Sequence, residues 1–294
     1  MTPPKSEYIQ TPNLRHQMLM QGDDDGLPMV LLHGSFGSSR WWLPFLAILP
    51  PEVHIVAPDL RGCGRSDKPD SGYGIADQAD DIWQLVTALG WRDFDLVGHS
   101  TGGAIAAEFA FQHGEVLHSL VLVDSVPLEG VYSPVETLRL LDQMREDRAL
   151  LAQALAQLMP SYFPVEEGSA KQSFFESLVD DAAAMAPAAF TGVAEAVSAW
   201  NRFDDGGRLT LPTQLIWGEI DHIVEREAMT RTLIAIPGAY NLEVIQRVGH
   251  SPMIEAPLAL AELVIDFVTE EFEDFDDIRA SADDDNTGQG EDRS

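Results

Sequence analysis

The stretch Phe94-Asp95-Leu96-Val97-Gly98-His99-Ser100-Thr101-Gly102-Gly103-Ala104-Ile105-Ala106-Ala107-Glu108-Phe109 decides how this chain folds. Its first four residues read as a buried strand, and Gly103 to Phe109 read as a helix. Between them, Gly98-His99-Ser100-Thr101-Gly102 fits the pattern G-x-S-x-G. A strand-to-helix turn this sharp forces its serine into a strained backbone conformation. Gly98 and Gly102 are expected there because side chains would collide across the turn. The turn presents Ser100 Oγ above the C-terminal edge of a sheet, beside a helix N-terminus that favours developing negative charge. A glycine-rich turn with an incidental serine is the blander reading, and the flanking strand and helix argue against it.

Outward from this turn, short apolar runs alternate with helical patterns. Strands are expected over 29–32, 53–57, 95–97, 120–123, 214–217 and 242–245, and helices over 75–89, 103–112, 226–236 and 258–272. The strand runs are rich in Val, Ile and Leu with little polar alternation, as in a parallel sheet covered on both faces. The fold class is therefore α/β, a doubly wound, mostly parallel sheet. Polar-apolar stretches around Tyr8 and at 17–19 suggest an antiparallel hairpin on its edge. One interval breaks the alternation: 126–208 is helical throughout, which reads as a cap inserted between core segments 1–125 and 209–272. From 273 to 294 the chain is acidic with few large apolar residues, the composition of a disordered tail.

Charge narrows the partners. The chain has 294 residues, 18 Lys plus Arg against 48 Asp plus Glu, and a net charge of −30. The stretch 269–294 holds −9 of this, so the body is itself acidic at −21. Such a surface repels phosphate backbones and anionic lipids, which argues against nucleic-acid or membrane binding. Cys63 is the only cysteine, so neither an intramolecular disulfide nor a thiolate metal cluster is available. With no secretory h-region and no run of about 18 apolar residues, the cytoplasm is the expected compartment.

A serine nucleophile needs a base, and the base needs an orienting carboxylate. His250 follows the last expected strand, in Val248-Gly249-His250-Ser251-Pro252, a loop able to reach across the sheet edge. The acid should follow a strand between the two. Gly218-Glu219-Ile220-Asp221-His222 offers Asp221, further into the loop and favoured, and Glu219; Asp124, at an earlier strand end, is a third candidate. The oxyanion needs two donors. The Thr101 amide, directly after the nucleophile, supplies one, and the Ser35 amide in His33-Gly34-Ser35-Phe36-Gly37 is expected to supply the other. Phe36, His99, Trp200 and Phe203 are the expected substrate contacts, with Tyr162 and Phe163 as further aromatic candidates.

With these residues in place, the chain resembles the α/β-hydrolase superfamily over about residues 6 to 272, in the capped esterase, lactonase and non-haem haloperoxidase-like branch. The matching motifs are His33-Gly34, Pro58-Asp59-Leu60-Arg61-Gly62-Cys63-Gly64-Arg65-Ser66, Gly98-His99-Ser100-Thr101-Gly102-Gly103, Gly218-x-x-Asp221 and Gly249-His250-Ser251-Pro252. The resemblance implies a nucleophile, acid and base at Ser100, Asp221 and His250, and no metal or organic cofactor. Ser100 stands where haloalkane dehalogenases and epoxide hydrolases carry an Asp. The activity implied is hydrolysis of a carboxylic ester or lactone through an acyl-enzyme. Homoserine-lactone cleavage, perhydrolysis, carbon–carbon bond hydrolysis and amide or N-terminal proline cleavage share the triad. An aminopeptidase would want cap acids such as Glu129, Glu136 or Glu195 for the substrate amine. A small-molecule receptor of the same fold is the alternative outside catalysis.

Overall fold

The computed structural model describes residues 3–132 and 134–269. Its centre is an eight-stranded sheet: β1 (Lys5–Gln10), β2 (Arg15–Gln21), β3 (Leu27–Leu32), β4 (Val53–Pro58), β5 (Phe94–His99), β6 (Leu117–Val123), β7 (Thr213–Gly218) and β8 (Ala239–Ile245). The strand order is β1-β2-β4-β3-β5-β6-β7-β8. β1 and β2 form an antiparallel edge hairpin, β2 pairs antiparallel with β4, and every other pairing is parallel.

The near-continuous apolar runs have the reason expected of them. Along β3, Met29 and Leu31 pack on one face of the sheet while Val30 and Leu32 pack on the other, and all four are fully buried. On the Met29 face lie the short α1 (Leu43–Leu46) and, later in the chain, α9 (Pro252–Glu255) and α10 (Pro257–Val268). On the Val30 face lie α2 (Ile75–Leu89) and α3 (Thr101–His113), with α8 (Arg226–Ala235) towards β7 and β8. Gly90 ends α2 in a left-handed conformation (φ 77°), a helix stop that glycine tolerates without steric cost.

Among the described residues, the chain makes no strand between β6 and β7. It forms α4 (Val135–Glu146), α5 (Arg148–Gln157), α6 (Ala170–Ala183) and α7 (Pro187–Ala199), with short 3₁₀ helices at Pro160–Tyr162 and Phe203–Arg208. Among the described residues no single helix is long and apolar enough to cross a membrane; α6 and α7 together have the length and composition but are bent by 87°. The acidic tail expected from the sequence lies outside the described residues, as does the expected reach of the last helix over 270–272; α10 is described as Pro257–Val268.

The loop at 58–66 is structural. Asp59 accepts hydrogen bonds from the Ser39 and Arg65 amides at 2.7 and 2.8 Å, and buried Arg61 makes a two-pronged ion pair with Asp81 at 2.5 and 2.6 Å. Cys63 lies buried here, and desolvation together with nearby Asp59 pushes its thiol up to about 12, leaving it inert at neutral pH.

Candidate active site

Four loops meet at the C-terminal ends of the parallel strands, the edge where open α/β sheets hold their ligands. Ser100 directly follows β5 and has φ 54° and ψ −119°. A non-glycine residue in that region costs roughly 1–3 kcal/mol, so the surroundings must enforce it. Three backbone hydrogen bonds do so: Ser100 N–H donates to Val123 O at 3.0 Å, and Ser100 O accepts from Gly103 N and Val126 N at 2.9 and 3.0 Å. At about 0.5–1.5 kcal/mol net each, they are of the right size to offset the strain. A Cβ on Gly98 would come within 2.4 Å of Gly102 O, the expected collision across the turn. At Gly102 a Cβ would meet His33 O and Leu32 O at 2.6 Å, so this glycine admits the β3 loop instead.

His250 follows β8, with Nε2 2.9 Å from Ser100 Oγ and Nδ1 2.8 Å from Asp221 Oδ2. All three residues are buried, and Asp221 lies in the loop after β7. Burial opposes ionisation of Asp221, but His250 and the Ile223 and Val224 amides outweigh it and hold the carboxyl below its usual range. Of the other candidate acids, Glu219 accepts the Arg247 amide at 2.7 Å. Asp124 accepts the Gly218 amide at 2.8 Å, and burial followed by the Asp221 charge raises its carboxyl well above the usual range. Asp124, Asp221 and His250 each bring a ligand-type atom within 4.8 Å of one another, though both imidazole nitrogens are committed to hydrogen bonds.

The loop after β3 closes the other side. Leu60 N–H donates to His33 Nε2 at 3.0 Å, so Nδ1 carries the proton and donates to Gly34 O at 2.8 Å. The Ser35 and Thr101 hydroxyls are 2.6 Å apart, tying this loop to the first residue of α3. His99 Nε2–H donates to the His250 carbonyl at 2.6 Å. Burial, reinforced by His250, pushes the His99 imidazole down to about 3, so it is neutral.

Above these groups is a cavity of about 300 Å³ lined by Ser35, Phe36, His99, Ser100, Thr101 and His250, and by apolar side chains of the helical insertion. Phe36 (φ 61°) places its ring 5.4 Å from that of Phe190 in α7. A larger cavity of about 710 Å³ opens beside the β1–β2 hairpin, away from every candidate site residue.

Two expected contacts fall elsewhere. Trp200 does not line the cavity: its indole N–H donates to Glu108 at 2.9 Å, and Arg202 forks onto the same carboxylate at 2.6 and 2.8 Å. The pair fastens the end of α7 to α3, which satisfies an acid buried in an otherwise apolar helix. Phe203 also lies outside the lining, partly exposed at the start of a 3₁₀ turn. Tyr162 is tied to the Lys171 carbonyl, and neither it nor Phe163 lines the cavity. Glu129 pairs with Arg231, and neither it nor Glu136 or Glu195 is in the lining. The Glu108 clamp was missed by the sequence reading. Its available signal was a lone acid in the run Gly103 to Phe109.

With this geometry in view, residues 29–263 match the model of the alpha/beta hydrolase family. The chain belongs to that family. It is 31% identical over 265 residues to 2-hydroxymuconate semialdehyde hydrolase of Pseudomonas sp., covering 83% of this chain and 88% of that protein. Among solved structures it is similar to an esterase from Exiguobacterium antarcticum (TM-score 0.79, 22% identity, 90% of this chain and 100% of that one). It is also similar to an enol-lactonase from Burkholderia xenovorans (0.78, 20%, 90% and 100%) and a bromoperoxidase from Bacillus anthracis (0.78, 23%, 90% and 100%). These three likenesses show the shared α/β-hydrolase fold.

Proposed function

We propose that this α/β-hydrolase cleaves a carboxylic ester or lactone of a small, partly apolar substrate through an acyl-enzyme, with Ser100 as nucleophile, His250 as base and Asp221 as the orienting acid. The observation that carries this reading is the hydrogen-bonded chain Ser100–His250–Asp221 at the foot of an apolar cavity. His250 Nε2 takes the Ser100 proton as Oγ attacks the carbonyl carbon. The tetrahedral oxyanion is received by the Thr101 and Ser35 amides, and Asp221 stabilises the imidazolium. His250 then hands its proton to the departing alkoxide, and a water activated by the same imidazole releases the acid. The insertion 126–208 acts as a cap whose apolar side chains receive the acyl or alcohol portion.

The reading is tested by labelling with a fluorophosphonate and by assaying short p-nitrophenyl esters, lactones and peroxide side by side. Labelling should require Ser100, and Ser100→Ala should lower kcat/KM on esters by a factor on the order of 10⁴ or more. Full activity in that variant, or no turnover of any ester or lactone by the parent protein, would sink it. The resemblance to a 2-hydroxymuconate semialdehyde hydrolase supports a second reading, carbon–carbon bond hydrolysis on the same triad.

A further inference from the structure

No Lys, Arg, Asp or Glu lines the cavity above Ser100 among the described residues, although 22% of the chain is charged. The wall contributed by the helical insertion includes Leu141, Met185, Phe190, Val193 and Val197, and among the described residues Thr137 is its one polar side chain. Opposite them, the polar atoms of Ser35, Ser100, Thr101 and His250 serve the reacting carbonyl in the reading above, and His99 Nε2–H is taken by the His250 carbonyl. A carboxylate on the substrate would thus enter apolar surroundings with no cation to meet it, which is unfavourable unless the charge is paired. The ionised Asp221 behind His250 and the acidic body of the chain act in the same sense.

We propose that charge selects the substrate: the site accepts uncharged esters or lactones and rejects anionic ones of the same skeleton. The inference rests on the esterase reading and deepens it. Thr137, half-buried on the first turn of α4, is the place on the wall where a charge can be introduced without disturbing the reacting groups.

The test compares dimethyl glutarate with monomethyl glutarate, which share a skeleton and differ at neutral pH by one carboxylate, with methyl pentanoate as the neutral reference. Hydrolysis of the diester should stop at the half-ester, whose kcat/KM should be about a hundredfold lower. A ratio below tenfold overturns the proposal. The ratio should persist in 1 M salt, where the screening length is roughly 3 Å; collapse there would assign the selection to long-range repulsion and overturn the role of the wall. Thr137→Lys should raise kcat/KM for the half-ester relative to methyl pentanoate at least about tenfold. A variant that lifts both substrates alike, or neither, counts against selection at this wall. If neither neutral ester is hydrolysed and Ser100 resists fluorophosphonate, the esterase reading itself fails and takes this inference with it.

Discussion

Below the cavity, Ser100, His250 and Asp221 lie just beyond the ends of β5, β8 and β7 of one sheet, joined by hydrogen bonds of 2.8 and 2.9 Å. Above it, α4 and α7 present Leu141, Phe190, Val193 and Val197, which meet the substrate space through packing alone. The floor is directional, and a single atom out of place changes its chemistry. The roof is non-directional, and one side chain replaces another of similar volume at small cost. The two regions should therefore fail in different kinetic parameters.

The largest effect is expected on the floor. Asp221→Asn keeps the shape but lets the amide favour the wrong imidazole tautomer, so kcat should fall by a factor on the order of 10⁴ with KM nearly unchanged. Glu219→Gln should leave kcat within about twofold, because Glu219 holds the Arg247 amide and not the imidazole. Steady-state kinetics on a short p-nitrophenyl ester decide the matter. Equal losses in the two variants would mean that the floor has been drawn from the wrong acid.

A smaller and different effect is expected on the roof. Phe190 is almost fully buried and packs on Phe36, so Phe190→Ala removes about 3–5 kcal/mol of stability and enlarges the cavity. KM for esters that fill the cavity should rise by about tenfold while kcat stays within a few-fold. The measurement is a series of acyl lengths against both proteins. A fall in kcat as deep as that of Asp221→Asn would erase the distinction between floor and roof.

The same contrast explains what could be read in the sequence. The floor residues sit in short local motifs whose glycines are demanded by close approach: a Cβ on Gly34 would stand 2.8 Å from that of Ser100. Such requirements leave a mark within five residues of the functional atom. The strands were legible for a related reason, since burial on both faces removes polar alternation. The roof leaves no such mark. Leu141 and Val197 belong to helices far apart in sequence, and an apolar residue on a helix looks alike whether it faces the core or a substrate. Trp200 was misplaced on these grounds: a large aromatic near the end of the insertion suggests a pocket wall, but its indole N–H needed a buried acceptor and found Glu108. Long-range polar pairing of this kind becomes visible only once the chain is folded.

The smallest expected effect lies under the floor, at Asp124. Its carboxyl is fully buried beside ionised Asp221, and two adjacent buried negative charges are unfavourable, so it remains protonated well above the usual carboxylate range. The folded state therefore holds a proton that the unfolded chain releases above about pH 4. Linkage then fixes the sign. The folded form binds more protons than the unfolded one, so Asp124 costs stability as pH rises from about 4 towards its raised folded value. Asn carries no such proton, accepts the Gly218 amide through its carbonyl oxygen, and tolerates the positive φ of 41°. Asp124→Asn should thus leave the melting temperature near that of the parent at pH 4 and raise it at pH 8, each kcal/mol appearing as roughly 2–4 °C. Melting curves that run parallel from pH 4 to pH 8 would show that Asp124 is ionised in the folded state, and the floor would then carry two buried charges instead of one.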